Sequence, residues 1–146
     1  MIAQPVLLVE DNPQDEKLIL RALKKANFAN EVVVARDGQQ ALDYLSHTGI
    51  FANRAEEPPP AFILLDINLP RVNGLDVLHR IRNNPATALL PVIMLTSSDD
   101  ERDKLSSYKS GANSFVCKPL DFSAFVETVT QLGIYWMAIN QVPDPS

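Results

Sequence analysis

The sequence predicts a doubly wound α/β fold, in which helices cover both faces of a five-stranded parallel sheet. Five short segments are largely apolar, and they alternate with segments whose apolar residues recur every three or four positions. Strands that are apolar throughout are typical of a parallel sheet buried on both faces, and right-handed crossovers connect such strands. The predicted strands are residues 6–9, 32–35, 62–66, 92–96 and 114–117.

The segments between the strands carry helix signals. Asn12-Pro13 predicts the start of the first helix, because asparagine caps helices and proline is favoured in the first turn. Asn73-Gly74 precedes the third helix, residues 99–110 form the fourth, which Gly111 stops, and the last helix covers 121–139. We interpret Gly74 and Gly111 as glycines that the backbone requires at helix ends. The residues predicted to face the sheet are Ile19, Ala22, Leu23 and Ala26, then Ala41, Leu42 and Leu45, and then Leu75, Val77, Leu78 and Ile81.

One connection is unusually long. Residues 47–60 separate the second helix from the third strand and end in Pro58-Pro59-Pro60. Consecutive prolines favour an extended backbone, so we predict an extended loop here. The chain shows no internal repeat and no low-complexity segment, and residues 1–146 are expected to form a single domain.

Composition and charge exclude several classes of protein. The net charge of −5 argues against binding to a nucleic-acid backbone, which requires a basic face. No apolar run approaches the roughly 20 residues that cross a bilayer, and the N-terminus lacks the pattern of a signal peptide. The single cysteine, Cys117, cannot form an internal disulfide and is interpreted as a small buried residue. We therefore expect a cytoplasmic protein without direct contact to nucleic acid or membrane.

Charged and hydroxyl side chains stand at the ends of four predicted strands. These residues are Glu10-Asp11, Asp66, Thr96 and Lys118. Ligands of open α/β sheets bind where the strands end, so we expect these side chains to meet at one edge. Two carboxylates about 4 Å apart repel each other by roughly 4 kcal/mol at an effective dielectric constant of 20, so three of them require a cation. Because the ligands are all hard oxygens, Mg²⁺ is the predicted metal.

Such a site suits phosphoryl transfer, in which the protein positions groups and neutralises charge. Asp66 can act as a carboxylate nucleophile that receives the phosphoryl group. Lys118 would form an ion pair with a phosphate oxygen, and the Thr96 hydroxyl would donate a hydrogen bond to another.

Four motifs together resemble the receiver domains of two-component response regulators. They are Leu7–Asn12, Leu64–Pro70, Leu95–Ser98 and Cys117–Pro119, in the order and at about the spacing of that family. The resemblance covers Pro5 to Leu132 and implies a flavodoxin-like fold.

The resemblance also implies a role for each site residue. Asp66 falls on the phosphoacceptor, and Glu10 and Asp11 fall on the acidic pair that binds Mg²⁺. Asn68 falls on the residue whose backbone carbonyl completes the metal shell. Thr96 and Lys118 fall on the switch hydroxyl and the phosphate-binding lysine. The implied phosphodonor is a sensor histidine kinase.

Two positions depart from the commonest receiver pattern. Glu10 stands where many receivers have aspartate, a change that should preserve metal binding. Phe115 occupies the aromatic switch position. Its side chain can swing inward, but it has no hydroxyl that could form a hydrogen bond in the outward orientation. The site is therefore expected to be intact and the switch to be tuned differently.

A narrower resemblance connects the chain to stand-alone receivers paired with bacterial and cyanobacterial phytochromes. It rests on residues 49–60, Asp66–Arg71, Ile81–Pro85 and Tyr135-Trp136. It implies that the phosphodonor is a phytochrome-type histidine kinase.

The last helix predicts a homodimer. Its apolar residues recur in steps of three and four like a coiled-coil seam, and they are Phe122, Phe125, Val129, Leu132, Trp136 and Ile139. The alternative is that the whole stripe packs on the sheet. Past Leu132 the family's sheet offers little to cover, so we predict that Tyr135, Trp136 and Ile139 form the centre of an interface. No output domain is expected after the helix. Phosphorylation would therefore be communicated by a change in dimerisation or by binding of a downstream protein partner.

Three other functions are compatible with parts of this sequence. A haloacid-dehalogenase-like phosphatase also phosphorylates a strand-end aspartate, but it needs an acid two positions later, where this chain has Asn68. A dinucleotide-binding domain is disfavoured because no Gly-x-Gly-x-x-Gly follows the first strand. A receiver that serves only as a scaffold is disfavoured by the intact Asp66, Thr96 and Lys118. We therefore expect a signalling switch that modifies itself, and no enzyme acting on other substrates.

Overall fold

Helices and strands alternate along the chain in the predicted order. The computed structural model describes residues 4–25, 30–54, 57–96 and 101–117, together with residues 123, 126, 127, 130 and 131. Its elements are β1 (Val6–Val9), α1 (Pro13–Lys25), β2 (Val32–Ala35), α2 (Gly38–Ser46), a 3₁₀ helix (Gly49–Arg54), β3 (Phe62–Asp66), α3 (Gly74–Asn83), β4 (Val92–Thr96), α4 (Glu101–Lys109) and β5 (Ser114–Cys117).

The five strands form one parallel sheet in the order β2-β1-β3-β4-β5. The strand order reverses direction between β1 and β3, which makes their carboxyl ends the switch point where ligands of such sheets bind. Val9 pairs with Leu65, and Asp66 pairs with Leu95. The residues that follow β1 and end β3 therefore lie side by side at this point.

Two apolar layers cover the sheet. One layer holds α2, α3 and the 3₁₀ helix, and the other holds α1 together with Val126. The predicted inward residues are confirmed: Ile19, Ala22, Leu23, Ala41, Val77, Leu78 and Ile81 are buried, and Leu42, Leu45 and Leu75 are partly buried against them. Ala26 lies outside the described residues. The doubly wound fold is confirmed.

Short polar side chains cap the helices. Asn12 Oδ1 accepts hydrogen bonds from the Gln14 and Asp15 amides at 2.9 and 3.1 Å, which confirms the predicted start of α1. Asp37 and Asn73 accept from the backbone three residues further on in the same way. These bonds satisfy amides that have no partner inside their own helix.

The predicted extended loop at 47–60 is wrong for its first half. Residues 49–54 form the 3₁₀ helix, and Phe51 is buried with its ring edge-on to Tyr44 at a centroid distance of 5.2 Å. Arg54 closes the segment with ion pairs to Glu31 at 3.0 Å and Glu57 at 2.9 Å. Burying the aromatic ring of Phe51 removes a large apolar surface from water, and this favours packing of the segment on the core over an extended, exposed loop. Burial also raises the pKa of Tyr44 to about 12.

The last part of the chain is described only in places. Residues 123, 126, 127, 130 and 131 are helical, and the rest of the predicted helix 121–139 lies outside the described residues.

In α4 the larger apolar side chains, Leu105 and Tyr108, are exposed, whereas Ser107 is buried. Gly111 ends this region with a φ of 101°, as its predicted role requires. Within the described residues, no helix combines the length and apolar character that a membrane span needs.

Candidate functional site

Three carboxylates converge where β1 and β3 end. Carboxylate oxygens of Glu10, Asp11 and Asp66 all lie within 4.8 Å of one another. Glu10 is completely buried and Asp66 is 4% exposed, whereas Asp11 is open to solvent. The predicted acidic cluster is thus present, with one face accessible from outside.

Backbone amides hold two of these carboxylates. The Asn68 amide donates to Asp66 Oδ1 at 3.1 Å, and the Asn12 amide donates to Glu10 Oε2 at 3.3 Å. Each donor lies two residues after its acceptor, so the turn that leaves the strand also orients the carboxylate. The two acidic groups are therefore positioned by the local course of the chain.

Two glycines bring helices against the loop that follows Asp66. A β-carbon at Gly74 would lie 2.0 Å from the Asp66 carbonyl oxygen, and one at Gly38 would lie 1.9 Å from the carbonyl oxygen of Val72. Neither distance is possible for a real side chain, so both positions require glycine. Residues 67–73 are thereby held between the first turns of α2 and α3.

Gly38 is not predicted from the sequence as a site residue, and Gly74 is predicted only as a glycine at a helix end. The signal available at Gly38 was its place directly after Asp37, an N-cap residue whose Oδ2 lies 3.7 Å from Arg71 Nη1. Arg71 itself has a φ of 70°, which is uncommon for a residue with a side chain. The loop after Asp66 is thus shaped by contacts between segments far apart in the sequence.

The acidic cluster fits a divalent cation. With metal–oxygen bonds of about 2.1 Å, two oxygens on one Mg²⁺ lie roughly 3 to 4 Å apart. The observed spread of up to 4.8 Å therefore needs only a small side-chain adjustment. All donors are carboxylate oxygens, the ligands that hard divalent cations prefer. Glu10, Asp11 and Asp66 are accordingly a candidate metal site.

The remaining predicted site residues are placed less completely. Thr96 ends β4, beside the strand that Asp66 ends, and the Ile67 amide donates to the Leu95 carbonyl at 3.0 Å. Phe115 is partly buried and packs against the core layer of α2 and α3. Asn68 is exposed. The Thr96 side chain and four further predicted residues lie outside what the structure describes; these are Lys118, Tyr135, Trp136 and Ile139.

The sequence matches one protein family over most of its length. Residues 6–130 match the family described as "Response regulator receiver domain". The probable methanogenesis regulatory protein FilR2 of Methanothrix harundinacea is 37% identical over 142 residues, which cover 97% of this chain and 88% of FilR2. Response regulator Rcp1 of Synechocystis is 33% identical over 138 residues, which cover 94% of this chain and 92% of Rcp1.

Solved structures agree with this match. Phosphorylated RcpA, a cyanobacterial phytochrome response regulator, superposes with a TM-score of 0.86 at 35% identity, covering 96% of this chain and 98% of RcpA. The bacteriophytochrome response regulator AtBRR gives a TM-score of 0.79 at 48% identity, covering 97% of this chain and all of AtBRR. The Mn²⁺-bound form of Rcp1 gives a TM-score of 0.84 at 33% identity, with coverage of 97% and 99%.

Proposed function

The chain belongs to the response regulator receiver family, and we propose that Asp66 is the residue on which this phosphoacceptor receives its phosphoryl group. The observation that carries the proposal is the position of Asp66. It ends the middle strand at the switch point, within 4.8 Å of the carboxylates of Glu10 and Asp11.

The chemistry follows from this position. A carboxylate oxygen of Asp66 attacks the phosphorus of a phosphohistidine, a P–O bond forms, and the P–N bond to the imidazole breaks. The product is an aspartyl phosphate, and the imidazole takes up a proton as it leaves. The Asn68 amide holds Oδ1 of the Asp66 carboxylate through a hydrogen bond of 3.1 Å, so this oxygen is oriented before the donor arrives.

Glu10, Asp11 and Asp66 would hold a Mg²⁺ ion, together with the backbone carbonyl of Asn68. When bound, this ion neutralises the charge that the transferred phosphoryl group brings to an acidic site. The proposal is supported by the set of oxygen donors and by the Mn²⁺-bound form of the relative Rcp1. Without such a cation, three carboxylates would repel both one another and the phosphoryl group.

The response to phosphorylation is assigned to the neighbouring strands. Thr96 would donate its hydroxyl to the phosphate, Lys118 would pair with a phosphate oxygen, and Phe115 would move into the space that Thr96 leaves. This assignment is supported by the pairing of β3, β4 and β5, which places the ends of all three strands at one edge of the sheet.

The proposed phosphodonor is a phytochrome-type histidine kinase. Support comes from the similarity to RcpA and AtBRR, both of which are phytochrome response regulators and which match nearly the whole chain. The proposed assembly is a homodimer through Tyr135, Trp136 and Ile139, and the proposed location is the cytoplasm. The alternative of a haloacid-dehalogenase-like phosphatase is not favoured, because the matched family is that of signalling receivers and position 68 carries an amide.

Labelling with phosphoramidate in the presence of Mg²⁺, followed by intact-mass measurement, tests the proposal. Wild type should gain one phosphoryl group, and Asp66→Asn should gain none. Asp76→Asn is the matched control, since it alters an exposed aspartate in the first turn of α3 and should label like wild type. Undiminished labelling of Asp66→Asn would show that another residue is the acceptor.

A further inference from the structure

Arg82, in the last turn of α3, joins the segments that precede β4 and β5. Its Nη1 donates hydrogen bonds to the carbonyl oxygens of Leu90 and Ala88 at 2.7 and 3.1 Å, in the loop before β4. Its Nε donates to the carbonyl oxygen of Gly111 at 2.8 Å, and its Nη2 donates to Asn113 Oδ1 at 2.8 Å, both just before β5. One side chain thus binds four oxygen atoms in two loops.

Asn113 carries this connection into the sheet. Its Oδ1 also accepts from the Val92 amide at 2.8 Å, and its own amide donates to the Val92 carbonyl at 2.8 Å. Val92 is the first residue of β4, and Asn113 directly precedes β5. Arg82 and Asn113 together therefore fix the beginnings of both strands to the end of α3, and we call this pair the anchor.

The anchor depends on the shape of arginine. A planar guanidinium presents donors in a rigid fork, whereas a lysine ammonium cannot reach oxygens spread over two loops. The side chain is partly buried, and within the described part of the chain no carboxylate forms an ion pair with it, so carbonyl and amide oxygens take that role. Burial accordingly lowers the pKa of Arg82. A β-carbon at Gly111 would lie 3.0 Å from Arg82 Cγ and Nε, so glycine there leaves room for the arginine stem.

The anchor lies at the amino-terminal ends of β4 and β5, whereas Asp66 lies at the carboxyl end of β3. Val92 and Thr96 are four residues apart on β4, which corresponds to about 13 Å at roughly 3.3 Å per residue. The same two strands carry Thr96 and Phe115, the residues assigned to the switch. The beginnings of β4 and β5 are thus tied by side chains, while their other ends face the phosphorylation site.

We propose that Arg82 is a fixed pivot, which confines the rearrangement after phosphorylation to α4 and to the carboxyl ends of β4 and β5. Without Arg82, β4 and β5 could shift as whole strands, and the structural change would then extend to their amino-terminal ends. The proposal rests on the proposed function of Asp66. It makes Arg82 a positioning residue that contacts neither phosphate nor metal.

Hydrogen exchange of the unphosphorylated protein tests the anchor itself. Arg82→Met keeps an unbranched apolar stem and removes all donors, so exchange of the Val92 and Asn113 amides should accelerate by about tenfold or more, as expected for losing charge-assisted bonds. The Val6 amide, bonded to the Glu31 carbonyl at 2.9 Å, should stay unchanged as an internal reference. Arg80→Met, which alters an exposed arginine in the same turn, should leave all three amides at wild-type rates.

Exchange after phosphorylation tests the pivot. In wild type, phosphorylation should alter amides of α4 and of the carboxyl ends of β4 and β5, and leave Val92 and Asn113 unaltered. In Arg82→Met the change should spread to Val92 and Asn113. Phe51→Ala serves as a control for lowered stability, since it loosens the core without touching the anchor, and its response should stay confined as in wild type.

The outcomes separate the two proposals. An unlabelled wild type would overturn the role of Asp66 and the pivot together. Full labelling of Arg82→Met with a response confined as in wild type would overturn the pivot alone. If Arg82→Met does not fold, Arg82→Lys takes its place, because lysine keeps the positive charge but cannot bond to the oxygens of both loops. A wild-type response in that variant would likewise overturn the pivot.

Discussion

Gly74 packs so closely on Asp66 that a β-carbon at position 74 would lie 2.0 Å from the Asp66 carbonyl oxygen. The first residue of α3 and the last residue of β3 therefore touch through backbone alone. The Gly74 amide also donates to the Ile67 carbonyl at 2.8 Å, which closes the loop between the two elements. The proposed phosphoacceptor is thus held by a contact that only glycine permits.

Gly74→Ala should lower the free energy of unfolding and slow phosphorylation. The added methyl group must push α3 away from β3, and overpacking of this kind costs about 1–3 kcal/mol. The shift also displaces Asn68, whose amide orients the Asp66 carboxylate. Urea denaturation and the rate of labelling by phosphoramidate measure the two effects. Arg80→Ala is the control, because Arg80 is at an exposed position of the same helix. If Gly74→Ala is as stable and as reactive as Arg80→Ala, the close contact of Gly74 with Asp66 is not needed for either property.

Much of this fold could be predicted from local patterns. The apolar runs of β1 and β3 and the spacing of Ile19, Ala22 and Leu23 identify strands and a helix without reference to any other segment. The order of the strand ends then places Glu10 and Asp66 at one edge, as the structure shows. The strands and the helix depend on residues near one another in the sequence, and the meeting of Glu10 and Asp66 follows from the parallel arrangement that this alternation predicts.

The features that could not be predicted depend on distant segments. Phe51 looks like part of an exposed loop until Tyr44 and the core are in place to receive it. The place of Gly38 directly after Asp37 marks the start of a helix, but its tight contact with Val72 depends on a distant segment. Arg82 resembles any basic residue in the last turn of a helix, since its acceptors lie up to 31 positions further along the chain. Loops and contacts between segments therefore had to come from the structure.

Mg²⁺ should raise the melting temperature of the wild type. An ion that binds the folded state alone stabilises it by about 1.4 kcal/mol when its concentration is ten times Kd. Asp11→Ala removes one of the three carboxylates from the solvent-exposed side of the cluster and should abolish most of the shift. Thermal unfolding with and without millimolar Mg²⁺ measures it. Asp76→Ala, which removes an exposed carboxylate elsewhere, should respond like wild type, and a wild type indifferent to Mg²⁺ would rule out the metal role.

Phe51→Ala should lower the free energy of unfolding by about 3–5 kcal/mol, because the ring is buried and its removal leaves a cavity beside Tyr44. Ile50→Ala is the matched control. Ile50 precedes Phe51 in the same 3₁₀ helix and is 67% exposed, so its truncation should change stability by less than about 0.5 kcal/mol. Urea denaturation compares the two. Equal and small losses would mean that the 3₁₀ helix does not contribute to the core.

Trp136→Ala should convert a homodimer into a monomer. Burial of Trp136 and its neighbours Tyr135 and Ile139 at an interface would remove several hundred Å² of apolar surface from water, at roughly 25 cal/mol for each Å². Association itself costs several kcal/mol, so the dimer should depend on concentration. Sedimentation of wild type and variant at about 100 µM decides the matter, since a dimer with a Kd of even about 10 µM is mostly associated there.

The control for this experiment is Tyr108→Ala, because Tyr108 on α4 is 46% exposed and offers a rival surface for association. If the extension of the last helix forms the interface, Tyr108→Ala should remain dimeric while Trp136→Ala dissociates. The reverse result would move the interface to α4. A wild type that stays monomeric at about 100 µM, phosphorylated or not, would leave Trp136 as a residue that packs within its own chain, since a specific dimer of this affinity would have been detected.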